Sequence, residues 1–300
     1  MIYLTSNFRM KKIKVGIIGT GNIGSDLLVK VQRSKILECG IFSGINPQSP
    51  NILRAQKMGI RTSSDSINEI IKNPDICEIV FDATSAKIHL ANAPILRKLN
   101  KFVIDLTPSK FGKMCVPLIN LDAAVKENNI NLISCGAQAM APIVKAIMDV
   151  HPEVAYAELV SSISSYSAGI GTRNNIDEYT QSTSDALEVL GGVKKVKTII
   201  VLNPAQPPHF MHNTLYVPIE SPKLAELKKK ILSVEKKIRT YVPGYMLAMQ
   251  PAYTNGLYIV MTKVKGSGDF LPSYSGNLDI INSAAVAVAE EYAKKTLIRN

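Results

Sequence analysis

The chain has 300 residues, 46% hydrophobic and 20% charged, which is enough apolar material for two packed cores and too much for a disordered polymer. No apolar run is long enough to span a membrane, and Met1 to Lys12 lacks the charged-then-apolar order of an export signal, so a cytoplasmic address is expected. The net charge of +11 would suit a nucleic-acid binder, yet the densest basic run, Lys223 to Arg239, spaces Leu224, Leu227, Ile231, Val234 and Ile238 three and four residues apart, so its lysines read as the wet face of an amphipathic helix. The same positive field draws in polyphosphate cofactors.

In chain order, Ile13 to Ile18 reads as a strand, followed at once by Gly19-Thr20-Gly21-Asn22-Ile23-Gly24 and a helical pattern through Asp26, Leu27, Leu28 and Val31. This is G-x-G-x-x-G between a strand and a helix. Gly19 makes the tight turn, Gly21 lets the backbone approach a pyrophosphate, and Gly24 permits close helix–strand packing. A second strand, Leu37 to Ser43, lacks the acidic residue expected at its end. Asn46 or Ser43 is left to bond a ribose, and Arg54 would favour a 2′-phosphate, so NAD and NADP both remain open.

Further strand patterns at Glu78–Ala83, Phe102–Leu106 and Ile130–Ser134 alternate with helical ones at Ile52–Met58, Ser66–Ile71, His89–Leu99 and Leu121–Glu127. That alternation predicts an α/β fold with a Rossmann doubly wound parallel sheet. From about Ala155 the pattern turns to longer strands, Ala155–Ser164, Thr198–Leu202, Thr214–Pro218 and Gly256–Lys265, with helices near Ile176–Leu190 and Pro222–Arg239. This half predicts an α+β domain. The closing Ala-rich helix, Asn277 to Lys295, returns to the first. The expected division is 1–134 with 277–300 for the dinucleotide, and 135–276 for catalysis and dimerisation.

Cys39, Cys77, Cys115 and Cys135 form no C-x-x-C pair and have no histidine at zinc spacing, so free thiols and no metal are expected. Cys39 and Cys77 read as core. Cys135 stands between a strand-like run, Asn131 to Ser134, and an apolar run containing Pro142. A helix N-terminus there would favour the thiolate and make Cys135 a nucleophile; the alternative is an inert buried thiol. A backbone N–H or the Gln138 amide is the expected support for an oxyanion. The polar segment Ser164 to Glu178 either grips phosphate or carboxylate through backbone N–H groups and Arg173, or is a plain surface turn.

The ordered set Gly19 to Asp26, Phe81-Asp82-Ala83-Thr84-Ser85-Ala86, Asp105-Leu106-Thr107-Pro108, Cys135-Gly136-Ala137-Gln138-Ala139, Ser167 to Glu178, Asn203 to Pro208 and Gly276 to Ile280 closely resembles the acylating acetaldehyde dehydrogenases of meta-cleavage pathways for aromatic hydrocarbons, within the semialdehyde dehydrogenase-like superfamily. The resemblance covers nearly the whole chain after Lys11. It implies a glyceraldehyde-3-phosphate dehydrogenase-like fold and oxidation of a short aldehyde, acetaldehyde or propanal, to its acyl-CoA with NAD, with coenzyme A as co-substrate. By motif, Cys135 matches the thioester nucleophile. Gly21, Asn22 and Ile23 match the phosphate loop, and Ser167, Ala168, Gly169, Ile170, Gly171, Thr172, Arg173, Asn174, Asn175 and Asn277 match contacts to the nicotinamide cofactor. A homodimer and a 4-hydroxy-2-oxovalerate aldolase partner are implied likewise.

Two departures qualify the expectation. The family carries an Asp, thought to activate the cysteine, where this chain has Asn213, which cannot take a proton; His212 or His209 as base, an intrinsically acidic Cys135, or an altered activity are the alternatives. The stretch from Val242-Pro243-Gly244-Tyr245 to Phe270-Leu271-Pro272 is shorter than in the family, and Ala137 stands where the family usually has Gly. A different substrate, as for a related semialdehyde or acyl-thioester reductase in a biosynthetic pathway, is therefore a rival reading, and a nucleotide-binding scaffold without turnover is another.

Overall fold

The computed structural model describes residues 12–169, 172–173 and 176–299. Two sheets divide the strands. The first is parallel throughout, in the order β3-β2-β1-β4-β5-β7-β6, from β1 (Ile13–Ile18), β2 (Leu37–Ser43), β3 (Thr62–Ser63), β4 (Ile79–Asp82), β5 (Phe102–Asp105), β6 (Lys113–Met114) and β7 (Asn129–Asn131). Its central strands β1, β4 and β5 are buried along almost their whole length, as sheets covered on both faces require. The covering helices include α1 (Asn22–Arg33), α2 (Pro50–Lys57), α3 (Asn68–Lys72), α4 (Ala86–Lys98) and α5 (Pro117–Ala124). Chain order reverses between β1 and β4, so the loops after these strands flank the crevice where such sheets bind ligands.

The second sheet is mixed, in the order β11-β13-β10-β8-β9 with β12 on β13. It comprises β8 (Tyr156–Ser164), β9 (Lys195–Asn203), β10 (Met211–Pro218), β11 (Tyr245–Leu247), β12 (Ala252–Thr254) and β13 (Leu257–Val264). Strands β8, β10 and β13 alternate buried and half-buried residues, so one face is packed more deeply than the other. Packed between the halves is α6 (Cys135–Met148), whose residues are buried on almost every side, the signature of a central helix. It contacts α7 (Ile176–Ala186), α8 (Leu224–Ile238) and α9 (Gly276–Arg299), and α9 also lies along α1.

The α/β fold class expected from the pattern is the one observed, and most boundaries agree within a few residues. Three differences stand out, two of them with a local cause. Strand β7 stops at Asn131, because Ile133 takes φ +69°, a left-handed conformation that breaks the ladder. Strand β10 begins at Met211 rather than Thr214. The helix predicted to Leu190 changes to a wider turn over Leu187–Gly191 and ends at Gly192, φ +92°.

In α8, Leu227, Ile231 and Ile238 are buried and Lys228, Lys229, Lys230, Lys236 and Lys237 exposed, so the basic run is a solvated face as expected; Leu224, by contrast, is exposed. All four cysteines are free; Cys77 is core and Cys39 half-buried. Among the described residues no helix is long and apolar enough to cross a membrane, and no three of His, Cys, Asp and Glu gather at metal-binding range.

The ends of the chain are tied by charge. Lys30 of α1 reaches Asp279 of α9 at 2.7 Å, Asp26 at 3.4 Å and Asp269 at 3.5 Å, all nearly buried. The Asn282 amide donates to Asp26 at 2.8 Å. These bonds fix α9 against the helix that follows the glycine loop.

Candidate active site

The glycine loop is built by steric necessity. Gly19 sits at φ +102°, and a Cβ there would lie 2.4 Å from the Ala83 carbonyl oxygen. A Cβ on Gly24 would lie 1.8 Å from the Gly19 oxygen, so only glycine lets α1 start this close to β1, whereas Gly21 faces open space. Gly24→Ala is therefore expected to open the turn, with a loss of about 1–3 kcal/mol in stability by overpacking and weakened NADH binding, checked by urea unfolding and NADH fluorescence titration. Asn22 and Ile23 begin α1, whose first N–H groups point toward the loop.

The loops after β4 and β5 are held by two fully buried carboxylates. Asp82 accepts from the Thr84 N–H at 3.1 Å and the Thr84 hydroxyl at 2.5 Å, while Asp105 accepts from the Thr107 N–H at 2.7 Å and the Ser109 hydroxyl at 2.5 Å. His89 lies between them, 3.0 Å from Asp82 and 3.5 Å from Asp105. Burial opposes the charged imidazole, but its bond to Asp82 and the Asp105 charge outweigh that and raise its pKa. Burial also raises the Asp105 carboxyl, against the pull of His89.

Asp105 reaches onward to the cysteine. It accepts from Asn131 Nδ2 at 2.6 Å, and Asn131 Oδ1 accepts from the Ile133 N–H at 2.8 Å, bracing the left-handed residue just before Ser134 and Cys135. Such a conformation in a β-branched residue costs about 1–3 kcal/mol and persists only when its surroundings impose it. Ser134 caps α6 by accepting from the Ala137 N–H at 3.1 Å, and its hydroxyl meets Thr183 of α7 at 2.7 Å.

Cys135 is thus the first residue of α6, as the sequence pattern predicts, and it faces a cavity of about 220 Å³. Ile23 of the glycine loop, Ala83 and Thr84 after β4, Leu106 to Pro108 after β5, Gly169, Thr172, Tyr179 and Ser182 of the second half, and Asn277 of α9 complete its wall. A larger cleft between α4 and β6, lined by Arg97, Lys98 and Lys113, holds none of the predicted site residues.

The expectation that the helix end makes Cys135 acidic is corrected. Burial pushes the thiol up to about 11, while a hydrogen bond from Tyr179 and the N–H groups of Gly136 and Cys135 pull the other way and lose. Gln138 as an oxyanion donor is corrected too: its amide donates to the carbonyls of Cys115 at 2.7 Å and Leu132 at 2.9 Å, within the core. His212 is on the wrong face. Residues 212 and 213 are neighbours on β10, and with strand alternation Asn213 points to the side of Ser161 and α6 while His212 pairs in register with Ser162. His212 bonds the Phe210 carbonyl at 2.9 Å, and burial lowers its pKa. His209, beside Ser162 at 3.3 Å, shares that side.

Of the predicted cofactor contacts, Ser167 donates to the Ser164 carbonyl, Ala168 is buried beside it, and Gly169 and Thr172 reach the cavity. Arg173 does not project toward a phosphate; its guanidinium donates to the carbonyls of Ala168 and Ser165 and shapes its own loop. Ile170, Gly171, Asn174 and Asn175 lie outside the described residues. At the β2 end, the Ser43 hydroxyl donates inward to the Ser66 carbonyl, Asn46 accepts from the Gln48 N–H, and Arg54 covers the Phe270 ring.

Asn277 Nδ2 donates to the Ser167 carbonyl at 3.2 Å, which ties α9 to this loop. Its Oδ1, with Thr107 Oγ1 and Ser182 Oγ, is buried without a partner among the described residues, and all three residues line the cavity. Buried polar atoms left open in this way fit a polar ligand such as a carboxamide.

Tyr179 is the residue that the sequence pattern missed. Its hydroxyl lies 3.3 Å from Cys135 Sγ and accepts from the Gly136 N–H at 3.2 Å. The available signals were the four-residue spacing of Tyr179 and Thr183 on one helix face and Gly136 after the cysteine; a Cβ on Gly136 would lie 2.8 Å from that hydroxyl.

Residues 135–272 match a family model described as prokaryotic acetaldehyde dehydrogenase, dimerisation. A protein named acetaldehyde dehydrogenase from Geobacillus stearothermophilus is 49% identical over 290 residues, 96% of this chain and 98% of that one. Another of that name from Spirochaeta aurantia is 48% identical, covering 95% and 96%. The chain belongs to the acetaldehyde dehydrogenase family. A crystal structure of aspartate semialdehyde dehydrogenase II from Vibrio cholerae shares the fold, with a TM-score of 0.64 at 14% identity over 97% of this chain and 99% of that one. As a member of the acetaldehyde dehydrogenase family the protein is an aldehyde dehydrogenase and an oxidoreductase, which gives the Cys135 cavity its chemical context and calls for a nicotinamide cofactor.

Proposed function

We propose that the protein is an acylating aldehyde dehydrogenase that converts a short-chain aldehyde, acetaldehyde or propanal, reversibly to its acyl-CoA with NAD through a thioester on Cys135. Residues 1–134 with 277–300 form the dinucleotide domain in this reading, and 135–276 the catalytic and dimerising one. The supporting observation is that the cysteine, the end of the glycine loop and three unpartnered polar atoms share one cavity. Gly19, Gly21, Asn22, Ile23 and Gly24 would hold the pyrophosphate, and Asn277, Thr107 and Ser182 the carboxamide end.

Cys135 Sγ adds to the aldehyde carbonyl, forming the S–C bond as the carbonyl electron pair moves to oxygen at the N-terminus of α6. When bound, the nicotinamide supplies the acceptor for the hydride that leaves as the adduct collapses to a thioester. The thiolate of coenzyme A then takes the acyl group and frees Cys135. The family match supports a homodimer built on residues 135–272 and, by resemblance, an aldolase-type partner that supplies aldehyde in the cytoplasm.

Intact-protein mass spectrometry tests this reading. Incubation with acetaldehyde and NAD, coenzyme A withheld, is expected to add one acetyl group, lost on adding coenzyme A and never seen with Cys135→Ala. No adduct with acetaldehyde or propanal, in protein that binds NAD, would overturn it.

A further inference from the structure

The hydrogen bonds behind Cys135 run in one direction. Thr262 donates to Met140 Sδ at 3.3 Å, Asn213 Nδ2 donates to Thr262 at 3.2 Å, and Asn213 Oδ1 is therefore the acceptor that takes the Ser161 hydrogen at 2.8 Å. Ser161 Oγ, its hydrogen committed to Asn213, and the Tyr179 hydroxyl both lie over Gly136, 3.2 and 2.8 Å from where a Cβ on that glycine would stand. The Tyr179 oxygen takes the Gly136 N–H and faces Cys135 Sγ at 3.3 Å. That hydroxyl is able to accept from the thiol and to donate to the thiolate.

The geometry points to Tyr179 as a catalytic residue that gives its hydroxyl hydrogen to the Cys135 sulfur when the thiol ionises, with Ser161, fixed by Asn213, as the positioning residue beside it over Gly136. The assignment rests on the nucleophilic role given to Cys135 above. The sulfur proton leaves to water in the open cavity, and the Tyr179 O–H···S bond replaces the S–H···O bond, so no proton moves onto the phenol. Tyr179 is no base here, since burial raises its own pKa and the Cys135 charge raises it further. It acts as a donor. The neighbours supplied by α6, β8 and β10 are Gly136, Ser161 and Asn213, none of which titrates, and among the described residues no charged side chain supports the thiolate. His209 and His212 are on the other face of β10.

The test measures iodoacetamide alkylation of Cys135 by peptide mass spectrometry between about pH 7 and 10, on the full chain and on Tyr179→Phe and Ser161→Ala. Losing a hydrogen bond to a charged sulfur is expected to slow alkylation about 10- to 100-fold at a given pH and to move the profile upward by one to two units, roughly. Ser161→Ala, with the phenol kept, moves it the same way by less. A Tyr179→Phe profile equal to the parent overturns the proposal. If that variant does not fold, as circular dichroism will show, an unchanged Ser161→Ala profile overturns it instead. A Tyr179-dependent profile in protein that never forms the acyl adduct would sink the proposed reaction and leave this assignment standing.

Discussion

Cys135→Ala is expected to lower aldehyde oxidation on the order of 10⁴- to 10⁶-fold, the range seen when a nucleophile is removed and binding groups remain. NADH binding should be unchanged within a factor of about two, because the glycine loop and Asn277 are untouched. Steady-state assay and NADH fluorescence titration on the same preparation decide it; loss of both together would mean a folding defect rather than loss of the nucleophile. The parent enzyme carries a second signature. With burial holding the thiol at about 11, the thiolate fraction at pH 8 is roughly one in 10³, and it grows tenfold per pH unit. The rate of the Cys135-dependent step should therefore climb steadily through pH 7 to 10, without the plateau near pH 7 of an acidic cysteine.

His89→Leu is expected to be the most damaging change away from the nucleophile. It leaves Asp82 and Asp105 buried without their shared cation, and breaking a buried pair in this way costs about 3–5 kcal/mol. The sign with pH follows from the raised His89 pKa. His89 stabilises the fold fully below its unfolded value near 6.5, and that contribution is lost as pH rises through the folded value. The gap between parent and variant in urea unfolding should be widest near pH 6 and narrower near pH 9. A gap that is absent, or that widens with pH, would show that the imidazole is not held as a cation.

Local signals in the sequence were read well because they are local in cause. The turn at Gly19, the close approach at Gly24 and the start of a helix at Cys135 each depend on a few neighbouring residues, and the pattern displays them. The acidity of Cys135 depends instead on what is folded over it. A helix N-terminus contributes a modest pull, while burial by α7 and the second sheet reverses the sign. Of the alternatives left open by Asn213, His212 as base fails because β10 starts at Met211, before the Thr214 that the pattern marks, and alternation alone then puts His212 and Asn213 on opposite faces. Gln138 failed as a donor because its partners, Cys115 and Leu132, come from segments that meet it only in the folded chain. Tyr179 lies in a polar helix, where its four-residue spacing from Thr183 marks a shared face but not the sulfur that this face meets in the folded chain.

The position of α9 has a consequence for biosynthesis. Asn277 and Leu278, which close the cavity, and Asp279 and Asn282, which bind Lys30 and Asp26 of the helix after the glycine loop, all come from a segment translated after every other wall of the cavity. A nascent chain that has emerged only through residue 275 carries Cys135 and the glycine loop but an open pocket, and its Lys30 has Asp26 and Asp269 without the closer Asp279. The pocket is completed only when α9 docks, so until then Cys135 has no enclosed chamber around it.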